Sequence, residues 1–312
     1  MNKNAVQCAS SILLIRPANF GFNEETASSN SFQKCSNENN LSDVSKLALA
    51  EFNHFADTLL QNGIDTIIID DTPLPIKPDA IFPNNWISTH SDGTIILYPM
   101  FANSRRQERR LDIIEMLKNQ FDVSKIIDLS VWEDKEMFLE GTGSIVFDHK
   151  HKTAFACSSP RTNKQLFLEL CEYLSYAPIF FSAFDDQQKE IYHCNVAMNI
   201  SAHFAIVCLE CIPSVEERNK VVDTLQKNDL EIIEISMEQM KSFAGNMLSV
   251  RDRNNNLFLV MSDTAFNSLH TAQKEKISLY AQILTANIPT IETLGGGSIR
   301  CMMTEIFLKS KG

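Results

Sequence analysis

Five polar side chains recur at a near-constant interval along the chain. They are Asn85 in "FPNNWIS", Glu140 in "FLEGTGSIVF", His193 in "YHCNVAM", Asn246 in "FAGNMLSV" and Cys301 in "SIRCMMT". The spacings are 140−85=55, 193−140=53, 246−193=53 and 301−246=55. Alone, each has an ordinary explanation: a core histidine, a turn asparagine, a buried thiol. In register they form a chemical set. A thiolate is a nucleophile, an imidazole donates and accepts protons near neutral pH, and a carboxylate orients an imidazole or accepts substrate N–H groups. The set points to covalent catalysis at an electrophilic carbon, with Cys301 attacking. The run Gly295, Gly296, Gly297 stands just before Cys301, where permissive backbone lets a ligand approach the main chain.

Equivalent positions converge only if the elements carrying them repeat. "GTIILYP", "TAFACSS", "FAIVCLE" and "LFLVMSD" are short apolar strands, each preceded by another strand and a polar turn. Each leads into a helical stretch, roughly 105–120, 162–175, 214–228 and 264–284, and then a closing strand: "SKIIDL", "APIFFSA", "LEIIEIS" and "IPTIET". A fifth, permuted copy uses "SILLIRP", a helix over 43–62 and "DTIIID". Its first strand is supplied by "SIRCMMTEIFL" at the far end of the chain, with Cys301 on that strand. A period in the fifties predicts a closed α/β repeat: one domain over 1–312, a five-bladed α/β propeller with pseudo-fivefold strand-strand-helix-strand units. Residues 21–42, rich in Asn and Ser, interrupt the pattern and read as a long flexible loop.

Composition narrows the partners. With 44% hydrophobic residues among 312, the chain can bury a sizeable core. A net charge of −11 argues against nucleic acid or an anionic membrane as the main partner. No apolar run reaches membrane-spanning length, which predicts a cytoplasmic protein acting on a small molecule. Self-association is left open. Eight scattered cysteines suit reduced, buried thiols. "CLEC" (Cys208, Cys211) and "HKH" (His149, His151) resemble metal patterns but lack partners, and read as core thiols and a solvated turn. No metal and no cofactor are expected. "RRQERR" over 105–110 reads as a solvated helix start in which Glu108 pairs locally, with a substrate clamp as the alternative.

The motifs resemble those of the guanidino-group-modifying superfamily: arginine deiminases, dimethylarginine hydrolases and amidinotransferases. "LEGTGS" is similar to that family's Glu-Gly-Gly-Asp turn, "YHCN" to its His-x-Asp, "SSPRTN" to its Ser-x-Arg-Thr and "GGGSIRCM" to its cysteine motif. Stretches such as "IRPANFGFNEET" and "DAIFPNNWISTH" resemble the citrulline-utilisation hydrolases within the amidinotransferase family. The resemblance implies a pentein fold and a place in arginine metabolism. It implies Cys301 as nucleophile, His193 as general acid and base, Glu140 as the carboxylate between them and the substrate, and Arg161 as holder of a substrate carboxylate. Arg16 is a second candidate anchor.

Two departures bear on the substrate. Deiminases carry aspartates where this chain has Asn85 and Asn195. A buried guanidinium needs negative charge around it, whereas a neutral ureido group needs both donors and acceptors, which an amide supplies. With Asn246, these amides are candidate substrate contacts. The leading expectation is hydrolysis of citrulline or a close ureido compound to ornithine, carbon dioxide and ammonia. An arginine dihydrolase comes next, ahead of a deiminase, an amidinotransferase or a catalytically silent amino-acid-binding module.

Overall fold

The computed structural model describes residues 6–34 and 41–311. Fifteen strands form five separate three-stranded sheets of one topology. In the first, β1 (Ser11–Arg16) lies between β2 (Asp65–Asp70), parallel to it, and a strand from the far end of the chain, Thr304–Ile306, antiparallel to it. The next is β3 (Ile87–Thr89), β4 (Thr94–Leu97) and β5 (Lys125–Asp128). It is followed by β6 (Ile145–Asp148), β7 (Thr153–Cys157) and β8 (Ala177–Phe181). Then come β9 (Met198–Ile200), β10 (Phe204–Val207) and β11 (Glu231–Glu234). The fifth contains β12 (Leu248–Arg251), β13 (Leu257–Ser262) and β14 (Gln282–Ala286), and Thr304–Ile306 is β15. Each central strand pairs antiparallel with the first strand of its unit and parallel with the last.

The central strands explain why the repeat shows in the sequence. β4, β7 and β10 are buried at every residue, so they read as unbroken apolar runs rather than alternations. A parallel partner needs a long crossover. Helices Leu41–Gln61, Leu111–Gln120, Lys164–Leu174 and Val215–Lys227 supply four of them. The fifth crossover is two helices, Asp263–Ser268 and Thr271–Ser278, broken at Leu269 and His270.

The first strands of neighbouring sheets touch. Thr89 of β3 donates its hydroxyl to the Glu305 carbonyl of β15 at 3.0 Å, and Ser249 of β12 meets Ser201, just past β9, at 2.8 Å. Gln7 donates its amide to the carbonyls of Phe147 and Ile200, tying β6 to β9.

Two expected strands are replaced. "IPTIET" forms the N-cap and first turns of the helix Pro289–Gly295, and the closing strand of that unit is β14, which starts six residues before that stretch. Pro289 at the first helical turn explains the switch, since its fixed φ suits a helix start and it lacks the N–H a ladder needs. Cys301 is likewise not on a strand: Ile299–Met302 is a single helical turn before β15. Within 21–34, Glu24–Ala27 forms a helical turn capped by the Asn23 side chain; residues 35–40 of the expected loop lie outside the described residues.

Candidate active site

The recurring polar positions sit in one-turn elements immediately before the first strands. Asn85 ends the turn Pro83–Asn85, Glu140 caps Gly141–Ser144, His193 caps Cys194–Ala197, and Asn246 follows a turn into β12. All five are buried, none more than 3% exposed.

Their side chains meet. His193 Nε2 lies 2.8 Å from Glu140 Oε2. Asn246 Nδ2 lies 3.3 Å from the Cys301 sulfur, and Asn195 Nδ2 lies 3.7 Å from it. Asn195 and Asn246 thus stand against the sulfur, where two amide N–H groups can hydrogen-bond a negative charge. Glycine is required at 143: a Cβ there would collide with Asn85 Nδ2 and lie 2.7 Å from His193 Nδ1. Gly141, at φ +47°, lets the Glu140 turn close against the backbone of Asn84 and Asn85.

Burial pushes His193 down to about 4, overcoming the pull of Glu140 toward the protonated form. Burial would raise Glu140, but Arg161, the His193 hydrogen bond and Arg105 together hold its carboxyl well below the ordinary carboxylate range. The pair is therefore a neutral imidazole beside an ionised carboxylate. Since a carboxylate only accepts, Nε2 carries the hydrogen and Nδ1 is left as the base.

The charge run "RRQERR" departs from the solvated helix start expected of it. Arg105 and Glu108 are buried and joined by two hydrogen bonds of 2.9 and 2.8 Å. Arg105 also donates to Asn85 Oδ1 at 2.7 Å and approaches Asp79 at 3.8 Å and Glu140 at 3.9 Å. Burial pushes the Glu108 carboxyl up to about 7 against the Arg105 charge, and burial also raises Asp79. Asp79 and Arg105 line the same cavity as His193 and Cys301; the sequence offered the run containing Arg105 as a substrate clamp only in the alternative, and Asp79 not at all. "PDAIFPNN" held a cue, an aspartate six residues before Asn85 in an apolar setting.

Arg161 faces this cavity too. Its guanidinium lies 3.5 Å from Glu140 and 5.1 Å from the Tyr192 ring centre, and donates to Ser29 Oγ at 2.7 Å and the Thr26 carbonyl at 3.0 Å. Arg16 lies elsewhere, at the end of β1, paired with Asp70 at 2.6 Å and bonded to Asn53. Residues 23–33 cover the cavity: Asn23 donates to Asp79, and Asn30 donates to the Gly295 and Gly296 carbonyls. Beneath them only about 10 Å³ remains free, room for roughly one water. Two buried polar atoms of its lining have no partner, Asn85 Nδ2 and Asp79 Oδ1. Buried donors and acceptors left open at one place mark where a polar ligand is received.

Five three-stranded units with a buried cysteine, histidine and glutamate at their junction define a pentein of the guanidino-group-modifying superfamily. The chain belongs to the family described as N,N dimethylarginine dimethylhydrolase, eukaryotic, whose sequence model matches residues 16–308. No curated protein matches the chain in sequence. Among solved structures, the chain is similar to the N-terminal domain of ArgZ bound to substrate, an arginine dihydrolase from cyanobacteria. Identity is 15%, the TM-score is 0.73, and 95% of this chain and 98% of that one are covered. It is also similar to a variant of AgrE in complex with L-arginine (15%, TM-score 0.72), covering 95% of this chain but only 40% of that one. A dimethylarginine dimethylaminohydrolase adduct with S-methyl-L-thiocitrulline is 15% identical at a TM-score of 0.65, covering 96% of this chain and 100% of that chain. At such identities the likeness is one of fold.

Among the described residues no helix is long and apolar enough to cross a membrane.

Proposed function

We infer that this protein is a cysteine-dependent hydrolase of the terminal carbon of a ureido or guanidino amino acid, with citrulline as its substrate. The carrying observation is the orientation of Asn85. Arg105 has only N–H donors and occupies Asn85 Oδ1, so the amide presents its Nδ2 donor, unpartnered, to the cavity. A guanidinium offers nothing but further donors, whereas a ureido oxygen accepts.

In this reading neutral His193 takes the Cys301 proton as the sulfur attacks the ureido carbon. Asn195 and Asn246 stabilise the sulfur's charge, and Asn85 the charge developing on the oxygen. The imidazolium returns the proton to the departing nitrogen, releasing ammonia and leaving a thiocarbamoyl group on Cys301. His193 then activates water, the thioester-like bond breaks, and the resulting carbamate loses carbon dioxide to give ornithine. Glu140 orients the imidazole and stabilises its charged form. Arg161 binds the α-carboxylate in place of the Ser29 and Thr26 oxygens, with Arg105 behind it, and Asp79 takes the α-amino group.

An amino acid does not fit in about 10 Å³, so residues 23–33 must move aside for entry. The reading further takes the five sheets to close around one axis, with β15 completing the first blade in a single catalytic domain. The seven described cysteines are free thiols, which suits a reducing cytoplasm, and the chemistry requires no cofactor.

Arginine dihydrolysis is the second reading, favoured by Asp79 in the cavity wall and Glu140 behind His193, two carboxylates that suit a cationic head group. Incubation with citrulline and with arginine, with ornithine, citrulline and ammonia quantified, decides between them. Faster release of ornithine from citrulline supports the first reading; faster consumption of arginine overturns it.

A further inference from the structure

A second, much larger cleft of about 570 Å³ lies next to the covering segment and shares no lining residue with the catalytic cavity. Five stretches meet in its walls: 31–34 at the end of the cover, 185–187 ahead of His193, 240–243 ahead of Asn246, Thr264 of the helix Asp263–Ser268, and the helix bearing Glu292 and Thr293 ahead of Cys301. Its volume falls in the range of small-molecule sites.

Glu292 gives the cleft its chemistry. The residue is 3% exposed, and its carboxylate accepts hydrogen bonds from hydroxyls: Ser298 at 2.6 Å, Thr264 at 2.7 Å and Ser262. No cation pairs with it among the described residues, and burial raises its affinity for a proton. The other carboxylates of the cleft are committed: Asp185 accepts the backbone N–H groups of Gln187 and Lys189, and Asp186 pairs with Lys241 at 2.7 Å. At the rim, the exposed Lys34 has no ion-pair partner among the described residues. An uncompensated carboxylate within the wall and an uncompensated ammonium at the mouth complement a molecule with the opposite arrangement.

We propose that this cleft is a second ligand site that takes a basic free amino acid, its side-chain ammonium at Glu292 and its α-carboxylate at Lys34. Occupancy reaches both moving parts of the catalytic centre. Lys34 belongs to the segment continuing from the cover, and its N–H already bonds to the Thr293 carbonyl at 2.8 Å. Glu292 holds Ser298, the residue that starts the turn carrying Cys301 and whose carbonyl accepts the Cys301 N–H at 3.0 Å. A ligand spanning the two would fasten the cover to the nucleophile's support and slow turnover from outside the cavity.

The proposal rests on the cleft and not on the identity of the catalytic substrate. Its test is calorimetric titration of the full chain with L-ornithine, using wild type, Glu292→Gln, Lys34→Ala and Arg161→Ala. One binding event should weaken about tenfold or more in both Glu292→Gln and Lys34→Ala, and persist in Arg161→Ala. Lys34→Ala alters an exposed side chain, so its result does not depend on whether Glu292→Gln disturbs the fold. The proposal is overturned if L-ornithine does not bind, or if no event responds to Glu292→Gln and Lys34→Ala. An event lost in Arg161→Ala belongs to the catalytic cavity, so the two readings fail separately.

Discussion

Arg105 Nη1 lies 2.7 Å from Asn85 Oδ1, and this contact decides which face of the amide is turned to the cavity at Cys301. Arg105 is itself held by Glu108 and the Phe82 carbonyl, so the amide cannot turn over without breaking a buried charge network.

Asn85→Asp should therefore change the substrate and not only the rate. The carboxylate keeps the bond to Arg105 but loses the Nδ2 donor. Loss of a donor to a developing oxyanion costs about 10²-fold in turnover, and citrulline hydrolysis should fall by that order. Arginine binding should improve, because the new charge faces its cation. A competition assay on wild type and variant measures both; an unchanged preference shows that Asn85 does not read the substrate's head group.

Gly143→Ala tests the placement of the imidazole. The added Cβ would press on His193 Nδ1 and Asn85 Nδ2, both fixed by hydrogen bonds elsewhere. A shift of an ångström or so in a catalytic group costs about 10²-fold, so kcat should drop by that order while the thermal transition moves little. Wild-type kcat in this variant would mean the ring is not held where the geometry puts it.

Arg161→Ala should raise KM for α-amino acid substrates more than it lowers kcat. A shielded guanidinium–carboxylate pair contributes roughly 2–4 kcal/mol, or about 30- to 1,000-fold in KM. Decarboxylated analogues should be indifferent to the change. Equal losses for substrates with and without the carboxylate would assign Arg161 to holding the cover through Ser29 and Thr26.

Acid should weaken the fold through its buried histidines. His193 and His90 are both depressed by burial to about 4, from an unfolded value near 6.5. The unfolded chain thus binds more protons between these values. The stabilisation is complete above about pH 6.5 and is lost as pH falls toward 4. Each shift corresponds to on the order of 3 kcal/mol. Urea midpoints across this window should fall steadily, and His90→Gln should flatten the slope. A stability independent of pH from 7 to 4 would contradict neutral buried imidazoles.

The repeat was legible because its central strands are buried at every residue: after their first threonines, "TIIL" of β4 and "TAFAC" of β7 are unbroken apolar runs. The register of Asn85, Glu140, His193, Asn246 and Cys301 was legible for the same reason, each standing just ahead of a strand. What hid was decided by tertiary packing. Arg105 and Glu108 belong to a run of charges that reads as solvated, yet the three-residue spacing turns just these two inward together. "IPTIET" has the β-branched content of a strand, and only its proline hinted at a helix start. The cover over 23–33 has no apolar period to detect, since side-chain and carbonyl hydrogen bonds from Asn23, Thr26 and Asn30 hold it.

The central claim is covalent catalysis at Cys301, and peptide mass spectrometry of the quenched protein tests it most directly. Wild-type protein, in which His193 is present for both formation and hydrolysis of the intermediate, is mixed with excess citrulline, quenched in acid during turnover and digested. The account predicts an adduct with the mass of citrulline less ammonia on the peptide containing Cys301. It also predicts none in Cys301→Ser, which should stay folded and inactive because a hydroxyl is a far weaker nucleophile than a thiolate. An adduct on any other cysteine, or full turnover by Cys301→Ser, would contradict it.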